Sequence, residues 1–190
     1  QIKNGQSYFE RFAANESPFV HLWTMSIEGQ FYIIWPIIIF LLVKFAKKKK
    51  MIFWIITALT VFSALEMAFL FKPGVDTSRI YYGTDTRFFS LGLGAMLAVI
   101  WPTWKLNENL EKRDHWLLNI IGAVALVGIL LMATSPIFNP QKAFAYRGGM
   151  FLFSLVTTIF VGIIAHPGSS WNKWLTNPVF KWIGSRSYGI

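Results

Sequence analysis

The chain has 190 residues, of which 54% are hydrophobic and only 14% charged, with a mean hydropathy of +0.46. Soluble domains carry about a quarter charged residues, so this composition points to a membrane protein. The net charge of +9 would suit nucleic acid in a soluble domain, but here the cations sit in short loops between apolar runs, where membrane topology places them, and no nucleic-acid partner is expected. With no cysteine, disulfides, thiolate nucleophiles and cysteine-ligated metals are excluded.

Taken in chain order, the apolar stretches 22–43, 52–71, 88–104, 116–133 and 148–165 reach or approach the length that crosses a hydrocarbon core, about 20 residues. A further span begins near Phe180. The predicted fold is all-α: a polytopic integral membrane helix bundle with about five complete transmembrane helices and the start of a sixth. Short connections suit antiparallel neighbours. Ser90, Gly94 and Ala98 recur every four residues, a spacing that lets helix backbones approach closely in lipid. Pro36 and Pro102 fall inside spans and are expected to kink them. The chain begins at Gln1, and Ser187 to Ile190 run into what reads as new apolar sequence, so an internal piece of a longer protein is expected.

Lysine and arginine set the expected direction. Lys44 and Lys47 to Lys50 crowd one short loop, Lys105, Lys112 and Arg113 occupy the loop two crossings later, and Lys173 and Lys181 lie two crossings beyond that. The positive-inside tendency makes residues 44–51, 105–115 and 166–182 cytoplasmic, and residues 1–20, 72–87 and 135–147 extracytoplasmic. The lysine run equally suits an anchor on lipid headgroups.

Polar groups inside spans are costly, which makes each a candidate for function. The first span opens His21-Leu22-Trp23-Thr24-Met25-Ser26-Ile27-Glu28-Gly29-Gln30-Phe31-Tyr32. On a helix, His21, Met25, Glu28 and Tyr32 share one face. Glu28 would lie below the outer end, where a carboxylate must pair, protonate or face water. A polar groove and an interfacial turn with a capped helix start both satisfy these residues. The second concentration, Arg79 to Arg87, places two Arg, two Tyr and an Asp just ahead of the third span. Thr84 or Asp85 can cap that helix. Arg79 and Arg87 can grip a carboxylate or phosphate, or pair with Asp76 or Asp85 as loop ion pairs. Glu66 can snorkel or line the same cavity, while His115 and His166 read as interfacial. The three histidines lack ligand spacing, so no metal site is expected.

The stretch from His21 through Tyr32 to Pro36 resembles the signature of the acyltransferase-3 family. Arg79 to Arg87, followed by Phe88-Phe89-Ser90-Leu91-Gly92-Leu93-Gly94, is similar to that family's Y-x-G-T-D-T-R segment, and Ile183 to Ile190 to the start of its late helix. The Tyr81-Tyr82-Gly83-Thr84-Asp85-Thr86-Arg87 variant is most similar to the peptidoglycan O-acetyltransferase branch. The resemblance implies that residues 1–190 form part of an acyltransferase transmembrane domain. It implies transfer of an acyl group, usually acetyl from acetyl-CoA as donor substrate with no bound cofactor, to a hydroxyl of an extracytoplasmic glycan. The partners are then the lipid bilayer and that glycan. In the family, early helices carry a His and Arg residues tied to the donor, and many members add an esterase-like domain after the membrane region. Those parts would lie outside this chain, so the segment by itself is expected to be inactive.

Combined, these readings place Glu28, Tyr32, Tyr81 and Tyr82 as candidate catalytic residues, with His21, Trp23, Gln30, Arg79, Asp85 and Arg87 around the substrate. Glu28 would orient or accept a proton, a tyrosine would carry or position the acyl group, and Arg87 with Arg79 would hold the acceptor or a developing oxyanion. Asp85 is expected to orient Arg87. A transporter or channel subunit, and a scaffold whose polar groups merely lock helices, are the alternatives.

Overall fold

A computed structural model of the chain describes residues 23–45, 48–73, 75, 77–107, 110–139 and 142–187, with side chains on the first helix described from Gly29 onward. The helices are α1 (Trp23–Phe45), α2 (Lys49–Leu70), α3 (Ser78–Tyr82), α4 (Thr84–Ile100), α5 (Lys112–Thr134), α6 (Met150–Ala165), α7 (Ser170–Leu175) and α8 (Pro178–Arg186). No strand occurs among the described residues. Three segments are long and apolar enough to cross a membrane: Lys49–Leu70, Lys112–Thr134 and Ala145–Ala165. At 1.5 Å per residue, the 22 residues of α2 extend about 33 Å, enough for a hydrocarbon core of about 30 Å. Gly29–Phe45 is a shorter apolar helix.

The side chains are sorted as lipid, not water, demands. On α2 the large residues Leu59, Phe62, Leu65 and Phe69 are exposed, while Thr60 and Ser63 are buried. On α5, Val124, Val127 and Leu131 are exposed and Gly122 and Ala125 are buried. Small and weakly polar residues gain more by close helix contact than large ones, because lipid tails are as apolar as leucine. In water these exposed apolar faces would aggregate.

Two compact units divide the chain. The first comprises Gln1–Gly92 with Tyr146–Gly148, the second Leu93–Ala145 with Gly149–Ile190. In the first, α4 packs its Phe89–Gly92 face on α2: Phe89 and Gly92 are buried, and a side chain at Gly92 would collide with the Thr60 hydroxyl. The predicted contact face of Ser90, Gly94 and Ala98 is instead exposed, and nothing lies within 4 Å of a Cβ built on Gly94. The contact face follows the deeper glycine, because Phe89 one turn earlier supplies the larger apolar area to bury.

Pro102 ends α4 rather than kinking it. The helix stops at Ile100, Trp101 N–H still reaches the Leu97 carbonyl at 2.7 Å, and a single 3-10 turn, Thr103–Lys105, follows. The proline ring disfavours helical geometry for the residue before it, which is why the element stops there. The segment predicted as a loop over 72–87 is also more ordered than expected, since it contains α3 and the first turn of α4.

In the second unit α5 and α6 pair, joined through the 3-10 turn Pro136–Phe138 and the π-type turn Ala145–Gly149. The Trp171 indole of α7 covers Gly122 and donates to the Asn119 carbonyl at 3.1 Å. Asn119 accepts from the Ser170 N–H at 3.2 Å and, through Nδ2, reaches Ser170 Oγ at 3.1 Å and His115 Nδ1 at 3.2 Å. His115 Nε2 lies 3.2 Å from Ser170 Oγ. Nδ1 therefore serves as an acceptor, the proton sits on Nε2, and Ser170 is left without a base. The network clamps α7 to α5, in line with a structural role for His115.

His166 ends α6 and is buried beside Trp101, with ring centroids 5.8 Å apart. Its Nδ1 accepts from the Gly168 N–H at 3.1 Å, and burial lowers its pKa below the ordinary value. A histidine held neutral by folding binds its proton more readily when unfolded. Its contribution is thus complete above about 6.5 and declines as pH falls through that value toward the folded-state pKa. Thermal unfolding in detergent should show this acid-side loss, and His166→Asn, which keeps an acceptor but cannot titrate, should lack that component. Gly92→Ala should cost about 1–3 kcal/mol by overpacking, with recovery in the Thr60→Ala, Gly92→Ala double variant read by the same measurement.

Candidate functional site

The site is built where α2, α3 and α4 meet in the first unit. Ser63 of α2 is buried, and its hydroxyl donates to the Asp85 carbonyl while accepting from the Phe89 N–H at 3.1 Å. Asp85 and Phe89 are four residues apart, so the hydroxyl bridges a rung of the α4 ladder. Thr86 is fully buried and donates to the carbonyls of Ile80 at 2.7 Å and Gly83 at 3.0 Å, folding α3 back on α4. Gly83 leaves room for its neighbours at this corner. A Cβ there would collide with the Arg79 guanidinium and come within 2.6 Å of both the Asp85 carboxylate and the Thr86 hydroxyl.

Arg79 makes a bidentate pair with Asp85, Nη1 to Oδ1 at 3.0 Å and Nη2 to Oδ2 at 2.6 Å. The two side chains are 54% and 40% exposed, so the pair adds only about 0–1 kcal/mol, and its effect is to fix direction. Asp85 therefore orients Arg79, where the sequence suggested Arg87. Glu66 of α2 interacts electrostatically with the same carboxylate. Arg87 turns the other way: its Nε donates to the Tyr81 carbonyl at 3.1 Å and its guanidinium lies 4.5 Å from the centre of the Tyr81 ring. Tyr81 and Tyr82 meet edge to face at 5.6 Å.

From α1, Gln30 joins this cluster, its Oε1 accepting from the Thr84 hydroxyl at 3.0 Å. Phe31 and Trp35 stack at 4.9 Å and approach Phe88 of α4 at 6.3 and 6.0 Å. The predicted residues thus fall into two groups on the α3–α4 turn: Arg79 with Asp85, next to the Thr84 that Gln30 contacts, and Arg87 with Tyr81 and Tyr82. Tyr32, on the same helix, is 63% exposed and turned to the surface. Trp23 and Glu28 lie on α1, but their side chains are outside the description, and His21 and Asp76 lie outside the described residues altogether.

Sequence reading gave Glu66 little weight and missed Tyr146. Tyr146 is 1% exposed and stacks on Phe71 at 5.0 Å, and Arg147 lies 5.9 Å from the centre of the same Phe71 ring. The available signal was the Gly148-Gly149 pair two residues beyond Tyr146, which marks a backbone break. Gly148 has φ of 134°, where other residues are strained. Among the described residues no cluster of His, Asp or Glu could hold a metal ion.

A helical membrane domain with a tyrosine- and arginine-lined polar corner is the class of protein these features define. The acyltransferase domain family matches residues 6–190, and the chain belongs to that family. It is 38% identical over 189 residues, its full length, to "Peptidoglycan O-acetyltransferase OatA" of Listeria monocytogenes, covering 30% of that protein. It is 36% identical over 185 residues, or 97% of its length, to "Putative peptidoglycan O-acetyltransferase YrhL" of Bacillus subtilis, covering 29%. A "Putative O-acetyltransferase" of Staphylococcus aureus strain COL is 35% identical over 189 residues, with 31% covered. The chain therefore spans less than a third of the length of these relatives. No solved structure matches it.

Thr86→Val keeps shape but strips the hydroxyl that satisfies two carbonyls. It should destabilise the protein by about 1–3 kcal/mol, measured by thermal unfolding in detergent.

Proposed function

We propose that this chain is part of the membrane domain of an O-acetyltransferase that passes an acetyl group, with acetyl-CoA as donor, to a hydroxyl of an extracytoplasmic glycan such as peptidoglycan. The observation that carries the reading is that the α3–α4 turn holds Tyr81 and Tyr82 with Arg87 and, separately, the Arg79–Asp85 pair in a chain of the acyltransferase domain family. The names of the relatives support the acetyl group and the peptidoglycan acceptor.

In this mechanism a phenol oxygen of Tyr81 or Tyr82 attacks the acyl carbonyl. The bond between the acyl carbon and the leaving thiolate breaks as an ester bond to the tyrosine forms, and the phenol proton passes by way of a carboxylate, for which Glu28 on α1 is the candidate, to that thiolate, which departs as the thiol. The glycan hydroxyl then takes the acyl group, and its proton returns to the phenolate. Arg87 stabilises the oxyanion that develops at the carbonyl, a contribution that depends on donors fixed in advance. Arg79, fixed by Asp85, and Gln30 bind the acceptor, with His21, Trp23 and Tyr32 lining its approach.

The site faces outward in this reading, with residues 1–20, 72–87 and 135–147 extracytoplasmic and 44–51, 105–115 and 166–182 cytoplasmic. Two contacts support that alternation. Phe71, at the end of α2, stacks on Tyr146, so these two outer segments meet. His115 and Asn119 bind Ser170, so residues near the two cytoplasmic segments also meet. The bilayer and the glycan are the partners.

In the full-length protein, Glu28→Gln and Tyr82→Phe should each lower glycan acetylation from labelled acetyl-CoA by at least about a hundredfold, the scale of general acid–base and nucleophile losses. Wild-type rates at normal membrane levels in both variants would refute the mechanism.

A further inference from the structure

Ser63 is buried where α2 meets the start of α4. Its hydroxyl donates to the Asp85 carbonyl and accepts from the Phe89 N–H at 3.1 Å. These two backbone groups are four residues apart on α4 and would bond each other in an ordinary helix. An alanine at position 63 would therefore strand neither of them, and it would suit the same close helix contact without a hydroxyl to bury. Satisfying the backbone and filling space do not account for the serine. What the hydroxyl adds is a fixed point: it enters the α4 ladder from another helix, and a side chain inserted in that way bends the helix it enters.

The rung it enters bounds the first turn of α4. That turn follows Gly83, and a helix start has the fewest backbone bonds of its own. The turn carries Asp85, whose carboxylate takes both Arg79 nitrogens at 3.0 and 2.6 Å. It also carries Arg87, whose Nε reaches the Tyr81 carbonyl at 3.1 Å and whose guanidinium lies 4.5 Å from the Tyr81 ring centre. Thr86 binds the carbonyls of Ile80 and Gly83, which makes α3 and this turn one body. Ser63 ties that body to α2, a helix long enough to span the membrane.

We infer that Ser63 is a positioning residue for the arginines of the α3–α4 turn: its hydroxyl, inserted between Asp85 and Phe89, sets the angle of the first turn of α4 and thereby the directions of Arg79, through Asp85, and of Arg87. The inference rests on the acyl-transfer reading of this site, in which Arg79 binds the acceptor and Arg87 stabilises the oxyanion. Both tasks depend on donors fixed in advance, and a displacement of about 1 Å costs up to about a hundredfold in rate.

The test uses the full-length protein in membranes, with radiolabelled acetyl-CoA as donor and an N-acetylglucosamine oligomer as acceptor. Ser63→Ala should keep its thermal unfolding midpoint near wild type, because Asp85 and Phe89 can close the rung themselves, while kcat/KM for the acceptor falls about tenfold or more and the donor KM is unchanged. Ser63→Thr, which keeps the hydroxyl, should recover most of that loss. Thr60→Ala is the control for packing. It removes a buried hydroxyl one turn earlier on α2, whose bond goes to the Ile56 carbonyl of its own helix at 2.7 Å, and it should leave acetyl transfer near the wild-type rate. Ser63→Ala at the wild-type rate, a Ser63→Ala protein that does not fold, a loss in Ser63→Thr as large as in Ser63→Ala, or an equal loss in Thr60→Ala would each overturn the assignment. Arg79→Gln and Arg87→Lys separate the two levels. If both leave transfer at the wild-type rate, the reading of the site fails and the inference with it. If either impairs transfer and Ser63→Ala does not, the inference alone fails.

Discussion

The hydroxyl of Ser63 sits on a rung of the α4 backbone ladder, between the carbonyl of Asp85 and the N–H of Phe89. Through that bridge a residue of α2 sets the position of the first turn of α4, the turn that carries Asp85 and Arg87. The consequences spread outward. Asp85, held by its backbone, directs Arg79. Thr86, one residue on, ties down Ile80 and Gly83 and so places Tyr81 and Tyr82. A hydroxyl can do this at low cost inside a helix pair because both of its hydrogen-bonding roles are used, so no polar group is stranded in an apolar surrounding.

The polar corner stands out against its surroundings. Along α2 the interior positions descend from Ile56 through Thr60 and Ser63 to Met67, with Glu66 half-buried beside them, while Phe62, Leu65 and Phe69 face outward. Lipid accepts the large apolar side chains, and the helix contact keeps the small and hydrogen-bonding ones. The same sorting explains why α4 packs through Gly92 on Thr60 and why Gly83 sits under the Arg79–Asp85 pair. Each glycine marks a place where another group needs the space of a side chain.

The Arg79 to Arg87 segment was recognisable in the sequence as a polar cluster, and in the structure Arg79 pairs with Asp85, Arg87 lies on Tyr81 and Gln30 meets Thr84. The partners within the cluster could not be read. Asp85 lies two residues from Arg87 and six from Arg79, and proximity in sequence favours the wrong arginine. The break at Gly83 between α3 and α4 brings the farther one into place. The place of Tyr146 was harder still to read, since nothing in a hydrophobicity pattern shows that a broken turn brings a residue back onto Phe71, at the end of an earlier helix.

The sequence by itself determined that this is a helical membrane protein, roughly where its long apolar helices run, and which family it joins, because length, apolarity and local motifs are properties of contiguous residues. Only the tertiary structure decided which face of α4 is buried, that Pro102 ends that helix, which arginine Asp85 holds, and that Tyr146 stacks on Phe71. Those outcomes depend on groups from separate helices competing for the same hydrogen bonds and the same space, and such competition is settled only when the helices are packed together.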